Sequence, residues 1–114
     1  MASNKKVISQ EELVNLTYEK LVSSGISISK SMLELAVRAY NEVKFDQLTK
    51  GSSYEESRIG VTSPSWRKVS KAFAPRDPFT PKLTVQMEPA LKDYLQEQLK
   101  TSPEFREAVG AQEL

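Results

Sequence analysis

Apolar residues recur at helical spacing in the first half of the chain, and the pattern changes after Gly51. Leu13, Leu16, Tyr18 and Leu21 follow at roughly helical spacing behind Ser9-Gln10-Glu11-Glu12. That tetrad has the form of a capping box, in which the Ser9 hydroxyl accepts from the amide of residue 12. Gly25 suits a left-handed C-terminal cap, so the first helix is expected over about 10–24. A second helix is expected to start behind Ser29 or Ser27. It carries Met32, Leu33, Ala36, Val37, Tyr40, Val43 and Leu48 and closes at Gly51.

Beyond Gly51, Pro64, Pro75, Pro78, Pro81 and Pro89 rule out a long helix between 60 and 89. Arg58 to Thr62 reads as a short strand, and Trp66 to Phe73 as a second. Ala74 to Pro81 reads as a turn, and Lys82 to Gln86 as the returning strand. Pro89 opens a third helix, Ala90 to Lys100, with Leu91, Tyr94, Leu95 and Leu99 on one side. Thr101-Ser102-Pro103-Glu104 is a stop-and-restart signal, with one or two turns expected over Phe105 to Val109. The predicted class is α+β: a helical pair, a short sheet with a basic β-hairpin arm, and a C-terminal helix. The expected organisation is a tail at 1–8, one domain over 9–100 and an extension at 101–114. Within the domain, 9–51 is the helical pair, 52–88 the sheet and arm, and 89–100 the helix.

Composition narrows the chemistry. The 114 residues are 39 % hydrophobic and 27 % charged, which fits a globular chain with a small core. A core shared with a second copy would help so short a chain. There is no Cys and no His. Disulfides, thiolate nucleophiles and imidazole bases or ligands are therefore excluded. The adjacent pairs Glu11-Glu12 and Glu55-Glu56 diverge from one another, and the four glycines are isolated. The chain is expected to be no enzyme, to need no cofactor or metal and to take no small-molecule substrate. No apolar run approaches a membrane span, so a cytoplasmic location is expected, nucleoid-associated or in the cytoplasm of an infected host.

Net charge is only +1, but its distribution is uneven. Residues 58–82 hold six cations, Arg58, Arg67, Lys68, Lys71, Arg76 and Lys82, against one carboxylate, Asp77. Residues 83–114 reverse the balance, with three basic and six acidic side chains. A concentrated basic segment is the electrostatic footprint of a polyanion site. A solvated hairpin face would have the same composition.

Three stretches, in order, resemble the HU/IHF family of histone-like DNA-binding proteins. Glu11-Glu12-Leu13-Val14 through Ile28-Ser29-Lys30 and on to Lys50-Gly51 resembles the family's opening helical pair. Arg76-Asp77-Pro78-Phe79-Thr80-Pro81-Lys82 is similar to its arm-tip signature Arg-Asn-Pro-x-Thr-Gly-Lys. Ala90-Leu91-Lys92-Asp93-Tyr94-Leu95 resembles its closing helix, and Gly60 stands about where the family starts its sheet. Asp77 and Pro81 depart from the signature, and the stretch from Thr80 to Leu91 is shorter than usual. The resemblance implies an intertwined homodimer that binds double-stranded DNA with little sequence preference and bends or compacts it. It makes Pro78 the wedge between base pairs, flanked by Arg76 and Lys82. Lys68 and Lys71 would project from the arm, and Arg58 and Arg67 would charge the saddle. Other readings stand beside these. Pro78 would equally serve as an ordinary turn proline, and Trp66 and Phe73 as packing residues in preference to base-stacking ones. The whole would also suit a protein-interaction or viral structural module of the same fold that has lost its grip on DNA.

Overall fold

A computed structural model of the chain describes residues 6–68 and 79–111. The elements are α1 (Gln10–Ser23), α2 (Lys30–Thr49), β1 (Tyr54–Glu56), β2 (Gly60–Lys68), β3 (Phe79–Met87), α3 (Pro89–Thr101) and α4 (Pro103–Ala108). The strands form one antiparallel sheet in the order β1-β2-β3, so the fold is α+β. Internal contacts divide the chain into two units, Met1–Val43 with Gln98–Leu114, and Lys44–Glu97.

In the first unit the helix ends follow from their capping residues. Ser9 Oγ accepts from the Glu12 amide at 3.1 Å, and Ser29 Oγ accepts from the Met32 amide at 3.1 Å. Ser29, not Ser27, is therefore the cap of α2. Gly25 takes φ 79°, and the Ile26 amide behind it donates to the Leu21 carbonyl at 2.9 Å. That bond is the mark of a left-handed helix stop. Ser102 Oγ accepts from the Phe105 amide at 3.1 Å, so the restart signal yields the short α4. Arg106 then donates to the Leu99 and Lys100 carbonyls at 2.8 and 3.2 Å, satisfying acceptors that the end of a helix leaves over.

The α1 face Gln10, Leu13, Val14 and Thr17 opposes Val37, Tyr40 and Asn41 of α2. Asn41 Nδ2 donates to Gln10 Oε1 across this cleft at 2.7 Å. Val14 and Leu33 are the buried apolar side chains among the described residues. Helix α2 carries two apolar stripes. Leu33 and Val37 turn inward, whereas Met32, Leu35, Ala36, Ala39 and Val43 form an exposed stripe. Water-facing apolar surface of this extent on one helix is the pattern of an unmet partner.

In the second unit, Lys44 of α2 holds the start of the sheet. Its Nζ lies 3.5 Å from a Glu56 carboxylate oxygen and 5.8 Å from the centre of the Tyr54 ring. Strand β1 was not expected from the sequence, because Glu55-Glu56 carries no alternation of its own. The expected strand Arg58 to Thr62 begins later, at Gly60, and runs on without a break through Pro64 to Lys68 as the single strand β2. That strand takes in Trp66 to Lys68 of the second expected strand, whose remainder, 69–73, lies outside the described residues. Strand β3 begins at Phe79 and not at Lys82, so Pro81 lies in a strand and not in a turn.

The register explains how both prolines are accommodated. The Glu88 amide donates to the Ile59 carbonyl at 2.9 Å, which makes Ile59 and Glu88 a hydrogen-bonded pair. Pairs alternate along an antiparallel ladder, so Val61↔Gln86, Ser63↔Thr84 and Ser65↔Lys82 are hydrogen-bonded as well. Pro64↔Leu83 and Trp66↔Pro81 are the pairs between them, where no ladder bond joins the partners. Pro64 also lies beyond the reach of β1, whose pairing stops at Thr62. A proline at either position removes no rung. Glu88 itself joins sheet to helix, because its carbonyl accepts from the Lys92 amide at 3.0 Å and Pro89 takes the first helical position.

Candidate nucleic-acid interface

Strands β2 and β3 are paired over nine residues each, to the last pair Lys68↔Phe79. At about 3.4 Å per residue the ribbon is roughly 27 Å long. The residues that join its far ends, 69–78, lie outside the described residues, and with them Lys71, Arg76, Pro78 and Phe73. The described sequence-predicted site residues are Arg58, Arg67, Lys68 and Lys82.

Strand parity sorts the ribbon into two unlike faces. Ser63, Ser65 and Arg67 of β2 share one face with Thr80, Lys82, Thr84 and Gln86 of β3. Its hydroxyls are linked, Ser65 with Thr84 at 3.1 Å and Ser53 to Ser63 at 2.7 Å. The opposite face carries Thr62, Pro64, Trp66 and Lys68 beside Phe79, Pro81, Leu83, Val85 and Met87. Trp66 and Phe79 meet edge to face there, with ring centres 4.9 Å apart.

This placement changes the grouping expected of the cations. Arg67 stands with Lys82 on the hydroxyl-bearing face, diagonal to it across the ladder. Lys68 is directed to the other face, with Trp66, because neighbouring strand residues point to opposite sides. Arg58 is separate from both, in the three-residue loop between Glu56 and Gly60. The Ile59 amide closes that loop on the Glu56 carbonyl at 3.1 Å, and Arg58 takes φ 71°. Sequence reasoning put Trp66 and Lys68 on one parity but did not carry the two faces through Ser63 and Ser65 or across to β3, because it placed the strand boundaries at the prolines. The alternation Ser63, Ser65, Arg67 against Trp66, Lys68 was already present in the sequence and carried that signal.

The left-handed backbone at Arg58 costs about 1–2 kcal/mol for a residue with a Cβ. Arg58→Gly is therefore expected to raise stability by about 0.5–1 kcal/mol, after the added freedom of glycine in the unfolded chain is subtracted. A urea midpoint measurement checks it, and a lower midpoint would show that the Arg58 side chain itself stabilises the loop.

Neither strand of the ribbon from Val61 to Lys68 and from Phe79 to Met87 contains a carboxylate, whereas Arg67, Lys68 and Lys82 are all cationic. Three of the acidic groups of this unit, Glu55, Glu56 and Glu88, border an open depression beside the Gly60 end of the sheet. Among the described residues no group of three or more acidic side chains could hold a metal ion, and no helix is long and apolar enough to cross a membrane. Chemically, the hydroxyl face offers charge and hydrogen-bond donors to a row of phosphates, and the other face offers aromatic and aliphatic surface. No protein-family model matches the chain, and no curated protein matches it.

Proposed function

We propose that this chain is a homodimeric architectural protein of the HU/IHF type. It binds double-stranded DNA through its β2–β3 ribbon with little sequence preference, and bends or compacts it. The observation that carries this reading is the carboxylate-free ribbon whose one face combines Arg67 and Lys82 with Ser63, Ser65, Thr80 and Thr84. Phosphate oxygens are bound by such cations and hydroxyls, and contacts of this kind fix position without reading sequence. The order helix, helix, sheet with ribbon, helix supports the same reading, as does the basic segment 58–82 that contains the residues joining the ribbon strands. The exposed stripe on α2 supports a second copy as the partner.

The chain does no chemistry on its ligand in this account. Affinity comes from displacement of counterions by cations, and deformation from the arm gripping the duplex beyond the saddle. Pro78 is the proposed wedge, with Arg76 beside it, and Lys68 and Lys71 add charge along the arm. The test is the double variant Arg67→Ala with Lys82→Ala, measured by fluorescence anisotropy on a duplex across a salt series. Two phosphate contacts per protomer are removed, so the slope of log K against log salt is expected to become shallower by about 1.8 per protomer. The loss should be equal across unrelated sequences. An unchanged slope would remove the hydroxyl face from the interface, and a loss confined to some sequences would point to base reading in its place.

A further inference from the structure

The apolar face of the ribbon is not uniform. Near β1, Thr62 and Gly60 are buried. Towards the far end, beyond the reach of β1, Trp66 is 60 % exposed and Phe79 is 55 % exposed. An edge-to-face pair leaves flat ring surface open, here with Lys68 on the same face. Pure hairpin packing needs neither this exposure nor a cation beside it. Two exposed aromatic rings with a cation beside them, on strands without a carboxylate, complement a ligand that is anionic and carries flat, apolar groups. Single-stranded nucleic acid fits that description, because its bases are free to leave the stack and lie on a ring.

We propose that Trp66 and Phe79 form a stacking platform for unpaired bases of single-stranded DNA. The inference rests on the reading of the ribbon as a DNA-binding arm and adds a second ligand form to it. In this arrangement Arg67 and Lys82 on one face serve the backbone of a duplex, while Trp66, Phe79 and Lys68 on the other take up a single strand. The platform is tolerant of sequence, since every base presents a ring face.

Trp66 is the one tryptophan of the chain, so its fluorescence reports the platform directly. The intact protein is titrated with an oligothymidine of about 20 nucleotides and, separately, with a duplex of the same length. Quenching of the native protein by the single strand is the expected result, and in anisotropy titrations of a labelled oligothymidine Trp66→Leu and Phe79→Leu should each lower affinity about tenfold or more at an unchanged salt slope. Trp66→Tyr keeps a stacking ring and should retain most of the affinity. Salt-dependent duplex binding with no quenching by the single strand would overturn the platform and leave the DNA-binding reading intact. Binding of neither DNA form would overturn both, and the pair would then be a protein contact or a packing pair of the hairpin.

Discussion

Gly60→Ala is expected to destabilise the protein by about 2–4 kcal/mol and to lower the thermal midpoint by roughly 10–20 °C. Gly60 opens β2 at φ 142°, a conformation that a side chain rarely adopts. A Cβ at this position would overlap the Gln86 carbonyl oxygen, and would come within 3.0 Å of the Gln86 carbonyl carbon and 3.1 Å of the Glu88 amide nitrogen. All three are backbone atoms of the β3–α3 junction, so no side chain can swing aside. The same junction holds the bond from the Glu88 amide to the Ile59 carbonyl and the first turn of α3. Any relief of the overlap therefore displaces the ribbon from its base. Gly25→Ala is the control. Gly25 has φ 79° but nothing within 4 Å of an added Cβ, so only the backbone cost of about 1 kcal/mol is expected. Circular dichroism melts of the two variants check the contrast. Equal losses would show that the close approach to Gln86 does not govern the junction.

If the chain is the proposed homodimer, Ala39→Glu is expected to convert it to a largely unfolded monomer. Ala39 lies in the exposed α2 stripe with Met32, Ala36 and Val43. In the single chain it is exposed, so a glutamate there breaks no intramolecular contact and would be near-neutral in a monomeric protein. In a dimer whose helices meet along this stripe, the substitution buries an unpaired charge, a loss on the order of 3–5 kcal/mol. Among the described residues few apolar side chains are buried, so in the proposed dimer folding and association should be one event. The thermal midpoint of the native protein should accordingly rise with protein concentration. Sedimentation equilibrium together with melts at several concentrations checks both statements. A native monomer with a concentration-independent midpoint, unaffected by Ala39→Glu, would contradict them.

Much of the helical framework could be read from side-chain chemistry that acts locally. Ser9, Ser29 and Ser102 cap, Gly25 reverses the chain, and Pro89 and Pro103 begin helices, each through interactions within a few residues. The sheet was less legible, because its boundaries depend on the partner strand. Pro64 and Pro81 look like breaks until the register puts them at positions where the ladder forms no bond. Strand β1 has only three residues, and its side chains are placed by Lys44 and by pairing with β2, neither of which leaves a local pattern. The basic segment was visible by counting charges, but the division between Arg67 with Lys82 and Lys68 with Trp66 needed the strand parity. For the α2 stripe, the sequence showed many apolar positions and left open which of them turn inward.

If the ribbon grips duplex DNA through phosphates as proposed, duplex affinity must fall steeply as salt rises. Anisotropy on a labelled duplex of about 30 base pairs, from roughly 50 to 300 mM salt, gives the slope. If the Arg58 to Lys82 segment of each protomer neutralises several phosphates, log K should fall linearly with log salt at a slope of at least about −4. Near-equal affinities are predicted for unrelated sequences. Weak binding with a slope near zero would contradict the account and leave a protein-interaction module as the reading of this fold.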